Sequence, residues 1–567
     1  MHPKQQIKKI IRDLTGEEAE IKPSPVADFG TPIAFKLAPE LKKAPKVIAD
    51  ELAEKLKQNL PESVSSVEAT NGYINFYLNY KNLSKNIIRE VHEKKEDFGK
   101  LKNKNLKIIL EHTSVNPSGP VHIGRLRNSL IGDSLSRILK FAGYEVETHY
   151  YVNDIGKQIA IIAGGFIEGI GPDQEAVERY GKYKDKDDFL VFFEYVSANR
   201  EFENNPVFGE MVQDLIKRAE SCDGDAKNKI TGVAKKCLSG QNEIFKKLNI
   251  NFDFFDFESE YNTDEVIEFL KNNEHAEIID GCVALNLESF GLKKKGGGSV
   301  LARDDGTSVY LARDIAYHLE KIKLGDRIIN VLGEDHKLEF MELKTILTEF
   351  YKIEKPIDAV HFSFVSFEGE KLSTRRGQTA PVDKLIDDAV LKARQEIEAR
   401  GIAGIDAAQI IGIGAMKYHI IKREPQKPIT FRWDEALNFD GETAPYIQYA
   451  HARCCRILEK ANFRVDEINI DALFSDGFEL EKEEKNLIKI ISEFEDVVER
   501  ASGELKPNLI AIYVYEIASQ FSKFYKECKV IGTDENVEKR RLLMVDAARQ
   551  VIKNGLGLIG IESPERM

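Results

Sequence analysis

Cysteine is scarce in this sequence, and its spacing argues against the usual cysteine-based frameworks. The 567 residues contain six cysteines, none of which forms a Cys-x-x-Cys pair or stands beside a cluster of histidines. A zinc site or a disulfide framework is therefore not favoured, and we expect free thiols and no metal site. The six are Cys222, Cys237, Cys282, Cys454, Cys455 and Cys528.

Long apolar runs are also missing. No stretch approaches the ~20 apolar residues that a bilayer span requires. The opening MHPKQQIKKIIRDL has the pattern of an amphipathic helix rather than of a signal sequence. We therefore expect a cytoplasmic protein with no membrane segment. The composition, 42% hydrophobic and 31% charged, is that of a globular chain, and the length suggests roughly three to five domains.

The third deficit is in positive charge. A net charge of -13 argues against a protein that coats nucleic acid non-specifically. Local basic patches still permit an enzyme that acts on nucleic acid. One candidate is IKREPQKPITFR, although a solvated linker is the alternative interpretation. Its cations are Lys422, Arg423, Lys427 and Arg432, against the single acid Glu424.

The two ends of the chain differ in pattern from its middle. Residues 1–100 are interpreted as a small α/β domain, with strand-type residues on both sides of Asn71-Gly72 and a lysine-rich linker, EKKEDFGKLKNKN, at its end. Residues 381–439 are a helix-patterned connecting region. Residues 440–567 carry the long amphipathic segments of an all-α helical bundle.

Residues 105–380 have the alternation of a Rossmann-type α/β domain with a parallel sheet. LKIILEHT is a short apolar strand, residues 125–141 have apolar positions at helical spacing, and YEVETHYYVND is a second strand. Two later strands, RIINVLG and DAVHFSFVSF, flank the helix KLEFMELKTILTEF and supply the second half of the sheet. The charge-rich, helical residues 170–300 are interpreted as an insertion.

The first stretch that carries chemistry is HTSVNPSGPVHIGR, residues 112–125, which joins the first strand to the helix. A turn from a strand into a helix N-terminus is a ready anion site, because free backbone N–H groups and the helix dipole point at the ligand. Gly119 and Gly124 permit close approach. His122 and Arg125 are three residues apart and can face one phosphate. These residues alone predict a nucleotide-binding turn.

The second stretch, FEGEKLSTRRGQTAPVDKL, follows the last strand of the predicted sheet. Its cations Lys371, Arg375 and Arg376 lie among Ser373 and Thr374. A loop of this composition makes a mobile cationic clamp that closes on a triphosphate as charge develops during displacement. The alternative, a solvated basic turn, loses weight once both loops are considered together.

The two loops resemble the signatures of class I aminoacyl-tRNA synthetases. HIGR at 122–125 resembles their HIGH motif, and KLSTR at 371–375 resembles their KMSKS loop, in the same order and strand contexts. The resemblance narrows to the arginyl-tRNA synthetases through EHTSVN, YVNDIGKQ, DDGTSVYLARDIAYH, FDGETAPYIQYAHAR and LGLIGIESPERM. TPIAFKLA and NGYINFYLN, near the start of the chain, resemble that family's additional N-terminal domain.

This resemblance implies ATP as a substrate, accompanied by Mg²⁺, in a site formed by both loops. Arg125 stands in place of the family's second histidine; it keeps a cation there but cannot titrate. Thr374 stands in place of the second KMSKS lysine, for which Arg375 or Arg376 would substitute. The implied catalytic residues are His122, Arg125, Lys371 and Arg375, and the implied ATP-binding residues are Gly119, His122, Gly124, Arg125, Lys371, Ser373, Thr374 and Arg375.

The resemblance also implies a pocket for arginine, whose planar cation calls for a carboxylate and further acceptors. Tyr310 and Asp314 match the residues that hold the guanidinium, although alone they would be read as an ordinary helix pair. His336 stands where many family members carry glutamine, so its titration would make recognition pH-sensitive. The other arginine-binding candidates are Glu111, Ser114 and Asn116, and a further family run assigns Asp154, Gly156 and Gln158 to the architecture of the site.

For tRNA, the C-terminal bundle resembles the anticodon-binding domain of the family. YIQYAHAR mixes aromatic faces with hydrogen-bond donors, which suits splayed single-stranded bases. Helical spacing sends some of these residues into the core instead. The N-terminal domain would meet the outer corner of the tRNA, with a packed strand as the alternative role of its candidate contact. The tRNA-binding candidates are Asn75, Tyr446, Gln448, Tyr449 and Arg453.

The combined expectation is a monomeric arginine–tRNA ligase that forms arginyl-adenylate from arginine and ATP and transfers the arginyl group to its tRNA. Positioning and electrostatics carry such chemistry, so no covalent nucleophile is expected. The resemblance further implies that activation requires bound tRNA. Two alternatives remain. A synthetase for another amino acid is disfavoured by the carboxylate of Asp314. A catalytically silent paralogue that only binds tRNA would be favoured by the departures at Arg125 and Thr374.

Overall fold

The chain begins with an α/β unit whose four strands form an antiparallel sheet. The structure, a computed structural model, describes residues 3–220, 223–293, 298–304, 307–367, 380–400, 407–465, 468–474 and 477–567. The elements of the first unit are α1 (Pro3–Thr15), β1 (Lys22–Pro23), β2 (Phe29–Thr31), α2 (Ile33–Leu41), α3 (Pro45–Lys57), β3 (Val64–Thr70), β4 (Tyr73–Leu78) and α4 (Tyr80–Lys94). The strand order is β1-β2-β4-β3.

The turn between β3 and β4 follows directly from the sequence. Asn71 and Gly72 have φ angles of 52° and 86°, the left-handed pair that a two-residue hairpin needs and that Asn-Gly adopts at low cost. A Cβ atom at Gly72 would lie 2.8 Å from the ring of Phe35, so the packing also leaves no room for a side chain. The strand-type residues on both sides of this dipeptide therefore form two neighbouring strands.

The middle of the chain is an α/β region that contains long helices. Its elements are β5 (Lys107–Glu111), α5 (Ile123–Phe141), β6 (Glu145–Val152), α6 (Lys157–Glu168), α7 (Gln174–Tyr180), α8 (Asp187–Asn204), α9 (Pro206–Glu220), α10 (Gly224–Lys247), β7 (Phe254–Phe257), α11 (Asp264–Lys271), β8 (Ala276–Ile279), β9 (Cys282–Leu285), β10 (Ser299–Ala302), α12 (Tyr310–Leu324), β11 (Arg327–Gly333), α13 (Lys337–Thr345) and β12 (Ile357–Phe362). Helix α13 continues as a π-helical turn over Ile346–Phe350.

Five of these strands form one parallel sheet in the order β12-β11-β5-β6-β7. Helices cover both faces, which explains why β5 is a continuous apolar run rather than an alternating one. Ile108 and Leu110 pack against α5 on one face, and Ile109 packs against α12 and α13 on the other. The winding of the sheet reverses between β5 and β11. In such sheets the ligand site lies at the carboxyl ends of the strands, beside that reversal.

One strand of the sheet lies inside the stretch that the sequence assigns to an insertion. β7 pairs in parallel with His149–Val152 of β6, so the prediction of one insertion over residues 170–300 is wrong at this strand. The four residues FFDF form an edge strand through non-local pairing, and no periodicity within so short a run reveals that. The same stretch contains a three-stranded antiparallel sheet in the order β10-β9-β8.

Helices dominate the chain after the parallel sheet. The remaining elements are β13 (Val365–Phe367), α14 (Val382–Ala399), α15 (Ala408–Ile421), β14 (Ile429–Phe431), α16 (Trp433–Ala436), α17 (Ala444–Lys460), α18 (Ile470–Leu473), α19 (Lys482–Ser492), α20 (Phe494–Glu504), α21 (Asn508–Glu527) and α22 (Glu535–Leu558). β13 and β14 pair in parallel. The predicted connecting region, residues 381–439, therefore returns one strand to the region before it.

The N-terminal unit packs against the C-terminal helices. Phe98 stacks on Phe494 with ring centroids 6.2 Å apart, and Lys85 Nζ lies 2.9 Å from Asp471 Oδ1. In the part of the chain that the structure describes, no helix is both long and apolar enough to cross a membrane. The expected fold class is confirmed: a Rossmann-type parallel sheet, an N-terminal α/β domain and a C-terminal helical bundle.

Gly132 allows α5 to pack against the side chain of His112. A Cβ atom at Gly132 would lie 2.1 Å from His112 Cγ. We expect Gly132→Ala to lower the free energy of unfolding by about 1–3 kcal/mol, as overpacking does. Gly232→Ala is the control: Gly232 is exposed within α10 with nothing within 4 Å of its Cβ position, and it should gain about 0.5–1 kcal/mol. Urea unfolding measures both, and equal shifts of the midpoint would contradict the packing argument.

Candidate active site

The loop between β5 and α5 is tied to the neighbouring strand. The backbone N–H of Thr113 donates to Asn128 Oδ1 at 2.8 Å, and Asn128 Nδ2 donates to the carbonyl of Val331 at 2.9 Å. Asn128 thus joins the loop, α5 and β11. Thr113 and Ser114 have φ angles of 75° and 42°. Such left-handed conformations are costly for non-glycine residues and concentrate at functional sites.

His122 and Arg125 stand at the N-terminus of α5. His122 is the N-cap residue with an extended backbone, φ −106° and ψ 162°, and a Cβ atom at Gly124 would lie 3.2 Å from its ring. Burial and then the charge of Arg125 lower the pKa of His122 to about 4, so its imidazole is neutral at pH 7. No described residue forms a hydrogen bond or ion pair with the Arg125 guanidinium. That cation is therefore available to a ligand.

The second predicted loop, which contains Lys371, Ser373, Thr374 and Arg375 as well as Arg376, lies outside the described residues. The chain just after it is described. The N–H of Ile123 donates to the carbonyl of Ala380 at 3.2 Å, and the N–H of Val382 donates to the carbonyl of Val121 at 2.8 Å. The residues that follow the loop therefore pair with the segment that holds His122.

Glu111, the last residue of β5, has both carboxylate oxygens engaged. Lys321 Nζ donates to Oε2 at 2.6 Å, and Ser114 Oγ donates to Oε1 at 3.0 Å. Lys321 is 1% exposed and also donates to Asn330 Oδ1 at 2.8 Å. Burial is the largest single cause and raises the pKa of Glu111, but the charges of Lys321 and His318 and the hydrogen bonds from Lys321 and Ser114 together bring the pKa below its ordinary value. Glu111 is thus an ionised and balanced carboxylate.

Asp314, on α12, is not balanced in this way. No described residue gives its carboxylate a hydrogen bond or an ion pair. Burial, followed by the charges of Glu111 and Glu258, raises its pKa to about 8. An opposite charge nearby would favour its ionised form. A carboxyl group whose pKa is perturbed in this way and that has no partner within the protein is a candidate for substrate binding.

A cavity of about 830 Å³ has Gly156, Glu258 and Arg313, the residue before Asp314, in its lining. Arg313 Nη1 donates to Glu258 Oε1 at 2.7 Å, which balances that carboxylate. Asp154 is buried and accepts from the backbone N–H and the hydroxyl of Ser259 at 2.9 and 2.8 Å. These bonds fix the cavity wall and suit the assignment of Asp154 and Gly156 to site architecture.

The other candidates for arginine binding lie at the margin of the site. Tyr310, the first residue of α12, is 70% exposed. His336 follows β11, and its Nδ1 lies 2.5 Å from Glu339 Oε2. Asn116 Nδ2 donates to Gln158 Oε1 at 3.1 Å. Tyr310 therefore stands open to a ligand, whereas His336 and Asn116 already have partners within the protein.

Two of the tRNA-binding candidates are buried. Gln448 is 0% exposed and its Nε2 donates to the carbonyl of Glu562 at 2.8 Å. Asn75 is 4% exposed and its Oδ1 accepts from Ser24 Oγ at 2.9 Å. The structure does not agree with base contacts by these two side chains, because their polar atoms are used to hold their own domains together.

The other C-terminal candidates lie at the surface of α17. Tyr446 is half-buried and its hydroxyl lies 3.2 Å from Ser522 Oγ. Arg453 is exposed, with its guanidinium 5.7 Å from the ring centroid of Tyr449 and 4.9 Å from that of Tyr525. The exposed aromatic and guanidinium faces form a stacking surface.

The sequence reasoning missed Lys321 and Asn128. A lysine is almost never fully buried unless it is paired, so a lysine at a core-facing position of a predicted helix would have been a signal for Lys321. No comparable signal points to Asn128, because its two bonds join segments that are distant in the sequence.

Residues 87–433, more than half of the chain, match the family described as tRNA synthetases class I (R), catalytic domain, and residues 2–78 match the arginyl tRNA synthetase N terminal domain. The chain belongs to the arginyl-tRNA synthetases. Residues 447–567 match the DALR anticodon binding domain, so all three regions of this synthetase have family counterparts.

Individual relatives agree over the whole length. The arginine–tRNA ligase of Methanocaldococcus jannaschii is 40% identical over 552 residues, which cover 96% of this chain and 94% of the relative. The arginine–tRNA ligase of Methanobrevibacter smithii is 39% identical over 569 residues, which cover 98% of this chain and 95% of the relative. The Thermus thermophilus arginyl-tRNA synthetase structure has a TM-score of 0.82 at 25% identity and 99% coverage of both chains. The resemblance stated from the sequence is confirmed.

We expect the pKa of His122 to rise when the neighbouring charge is removed. Arg125→Gln removes the Coulombic cause and leaves burial, the larger cause, so the rise from about 4 should be partial. Arg125→Lys keeps the charge and should leave the pKa nearly unchanged. Titration of the histidine ring signals by NMR measures all three proteins. A His122 pKa that is the same in Arg125→Gln as in the unsubstituted protein would refute the electrostatic contact.

Proposed function

We propose that this synthetase joins arginine to its tRNA in two steps, with the residues of the site in defined roles. In the first step, a carboxylate oxygen of arginine attacks the α-phosphorus of ATP, the bond to the bridging oxygen breaks, and pyrophosphate leaves. In the second, the 3′-terminal ribose hydroxyl of the tRNA attacks the carbonyl carbon of arginyl-adenylate, and AMP leaves. Family membership and relatives that are arginine–tRNA ligases support this reaction.

The phosphates of ATP are held at the N-terminus of α5. Arg125 supplies a permanent charge, and the neutral His122 donates a hydrogen bond to the phosphate as negative charge develops. Gly119 and Gly124, which have no side chains, allow the backbone to approach the phosphates. Lys371, Ser373, Thr374 and Arg375 act from the second loop. Support for that convergence comes from the backbone bonds between Val121–Ile123 and Ala380–Val382, beside the end of that loop.

The observation that carries the choice of substrate is the uncommitted carboxylate of Asp314. Its neighbours Glu111 and Glu258 are each balanced by a buried cation of the protein. The arriving guanidinium therefore completes the charge balance, with the planar fork that a carboxylate accepts well. Tyr310 closes over the substrate. Ser114, Asn116 and His336 bind its remaining polar groups by exchanging their present partners, Glu111, Gln158 and Glu339, for the substrate.

Mg²⁺ enters this scheme with ATP. His122 and Arg125 are nitrogen groups, and no cluster of three His, Cys, Asp or Glu side chains able to hold a metal exists among the described residues. Mg²⁺ prefers oxygen ligands and is commonly held by substrate phosphates. The chain's own residues do not fit a protein-bound ion here, so the ion is assigned to the triphosphate oxygens.

tRNA contacts are assigned to both ends of the chain. In the C-terminal domain, Tyr446, Tyr449 and Arg453 stack with bases of the anticodon loop. The exposed ring of Tyr449 and the exposed guanidinium of Arg453 support this role, whereas Tyr446 is half-buried. The N-terminal domain meets the outer corner of the tRNA through surface residues other than Asn75. A monomeric state and a cytoplasmic location remain predictions.

Arginine affinity should rise with pH, because Asp314 must lose its proton to pair with the guanidinium. With a pKa of about 8, the neutral carboxyl dominates in the free protein at pH 6–7. Below pH 8 the affinity should increase by up to about tenfold per pH unit. Asp314→Asn should flatten this dependence and weaken binding by about 10- to 100-fold. Calorimetric titration at several pH values measures both. The exposed Asp13→Asn is the control, and a flat profile in the unsubstituted protein would contradict the role of Asp314.

Arginine-dependent ATP–pyrophosphate exchange tests the proposed function directly. We expect exchange with arginine and not with lysine, and only when the cognate tRNA is present. Arg125→Gln should lower kcat/KM for ATP by about 10- to 100-fold through loss of a charged hydrogen bond, and Arg125→Lys should retain most of the activity. Exchange with another amino acid alone would identify a different synthetase. Binding of tRNA without any exchange would identify a silent paralogue.

A further inference from the structure

A groove lined with cations separates the helical insertion from α14. Its volume is about 710 Å³, and it lies between the end of α7, the end of α10 and one side of α14. Five cations face two carboxylates in its lining, namely Arg179, Lys182, Lys247, Lys384 and Arg394 against Asp387 and Asp388. The whole chain has a net charge of -13. The groove is thus opposite in sign to the molecule around it.

The cations of α14 lie along one face of the helix. Lys384, Asp388, Leu391 and Arg394 recur at spacings of three and four residues, which places them in one row. Lys384 and Arg394 are ten residues apart, a distance of about 15 Å along the axis. Cations spread over this length suit the repeated phosphates of a nucleic-acid strand better than a single small anion.

Three of the five cations are uncommitted. Lys182 pairs with Asp387, and Arg179 lies 3.2 Å from Glu175. The side chains of Lys247, Lys384 and Arg394, in contrast, are exposed and form no hydrogen bond or ion pair with any described residue, although the charge of Lys247 acts on Asp387 at longer range. Their charges are therefore free to meet phosphates without first breaking a contact within the protein.

The groove begins next to the active site and has a fixed wall. The N–H of Val382, the first residue of α14, donates to the carbonyl of Val121, next to His122. The following turn is held against the insertion by Lys186, whose Nζ lies 2.8 Å from Asp383 Oδ1 and 3.0 Å from Asp188 Oδ2. Nucleic acid whose end lies at His122 would leave the site across this face.

We propose that this groove binds the sugar-phosphate backbone of the tRNA close to the end that enters the active site. The inference rests on the proposed function, which makes tRNA the second substrate. Phosphate contacts set position and affinity and do not read sequence. The groove therefore contributes equally to the affinity for cognate and for non-cognate tRNA, and other contacts discriminate between the two.

The test compares two triple variants of the full-length protein. The groove variant carries Lys247→Gln, Lys384→Gln and Arg394→Gln. The control carries Lys271→Gln, Lys344→Gln and Lys352→Gln and so has the same net charge; these lysines are exposed, and their ammonium groups form no hydrogen bond or ion pair with described residues. Filter binding of cognate and non-cognate tRNA over a range of salt concentrations gives Kd and its salt slope.

We expect the salt slope of the groove variant to fall by about one per cation removed, and its Kd to rise by a similar factor for both tRNAs. The control should keep the slope of the unsubstituted protein. Equal slopes in the two variants would overturn the proposal. Arginine binding, measured by calorimetry, should be unchanged in both. If the unsubstituted protein bound tRNA and not arginine, the proposed function would be wrong, but the salt slopes for tRNA binding would still test the groove.

A second measurement locates the contact without substitutions. Acetylation of lysines by a water-soluble reagent should be slowed by bound tRNA at Lys247 and Lys384, and not at Lys271 and Lys352. Protection of the first pair by polyglutamate, and not by tRNA, would assign the groove to an acidic protein segment and overturn the proposal.

Discussion

The buried ion pair between Lys321 and Glu111 determines the charge of the candidate site. Lys321 is 1% exposed and Glu111 is 8% exposed, so each would be strongly unfavourable alone. Loss of one partner from a buried pair costs about 3–5 kcal/mol, because it leaves the other charge uncompensated. With Glu111 and Glu258 each paired to a cation of the protein, Asp314 is left as the carboxylate that a cationic substrate can neutralise.

The parallel sheet brings this acidic group close to the turn that is proposed to bind phosphate. Glu111 ends β5, and the loop that follows leads directly to His122 at the start of α5. Because β5 lies beside β11 at the reversal of winding, ligands that bind between these strands meet both the loop and α12. The bonds of Asn128 to Thr113 and Val331 hold the loop to β11. The geometry of the site is thus fixed by the backbone of the sheet rather than by flexible side chains.

The local sequence pattern was sufficient to predict the sheet strands next to the motifs and the turn at Asn71-Gly72. It failed for β7, whose four residues become a strand only by pairing with β6. The motif residues His122, Arg125 and Asp314 could be named from the sequence, since each belongs to a recognisable run. Whether the other candidate side chains can reach a ligand depends on their burial, which the sequence pattern does not show. Gln448 and Asn75 look like RNA contacts in sequence, yet their amides bond to distant segments of their own domains.

A carboxylate that is to bind a cationic substrate and a lysine or arginine that is to bind phosphate must not neutralise each other within the protein. In water, exposed charges are screened beyond about 8–10 Å, whereas buried charges need a partner. In the candidate site Glu111 and Glu258 are buried and compensated by Lys321 and Arg313, whereas Asp314 has no partner among the described residues. The free cations Lys247, Lys384 and Arg394 are exposed in the groove beside α14. His122 is neutral, since its pKa is about 4, and Arg125 carries the positive charge at the start of α5. This division allows one acidic chain to accommodate a cationic amino acid and two polyanions.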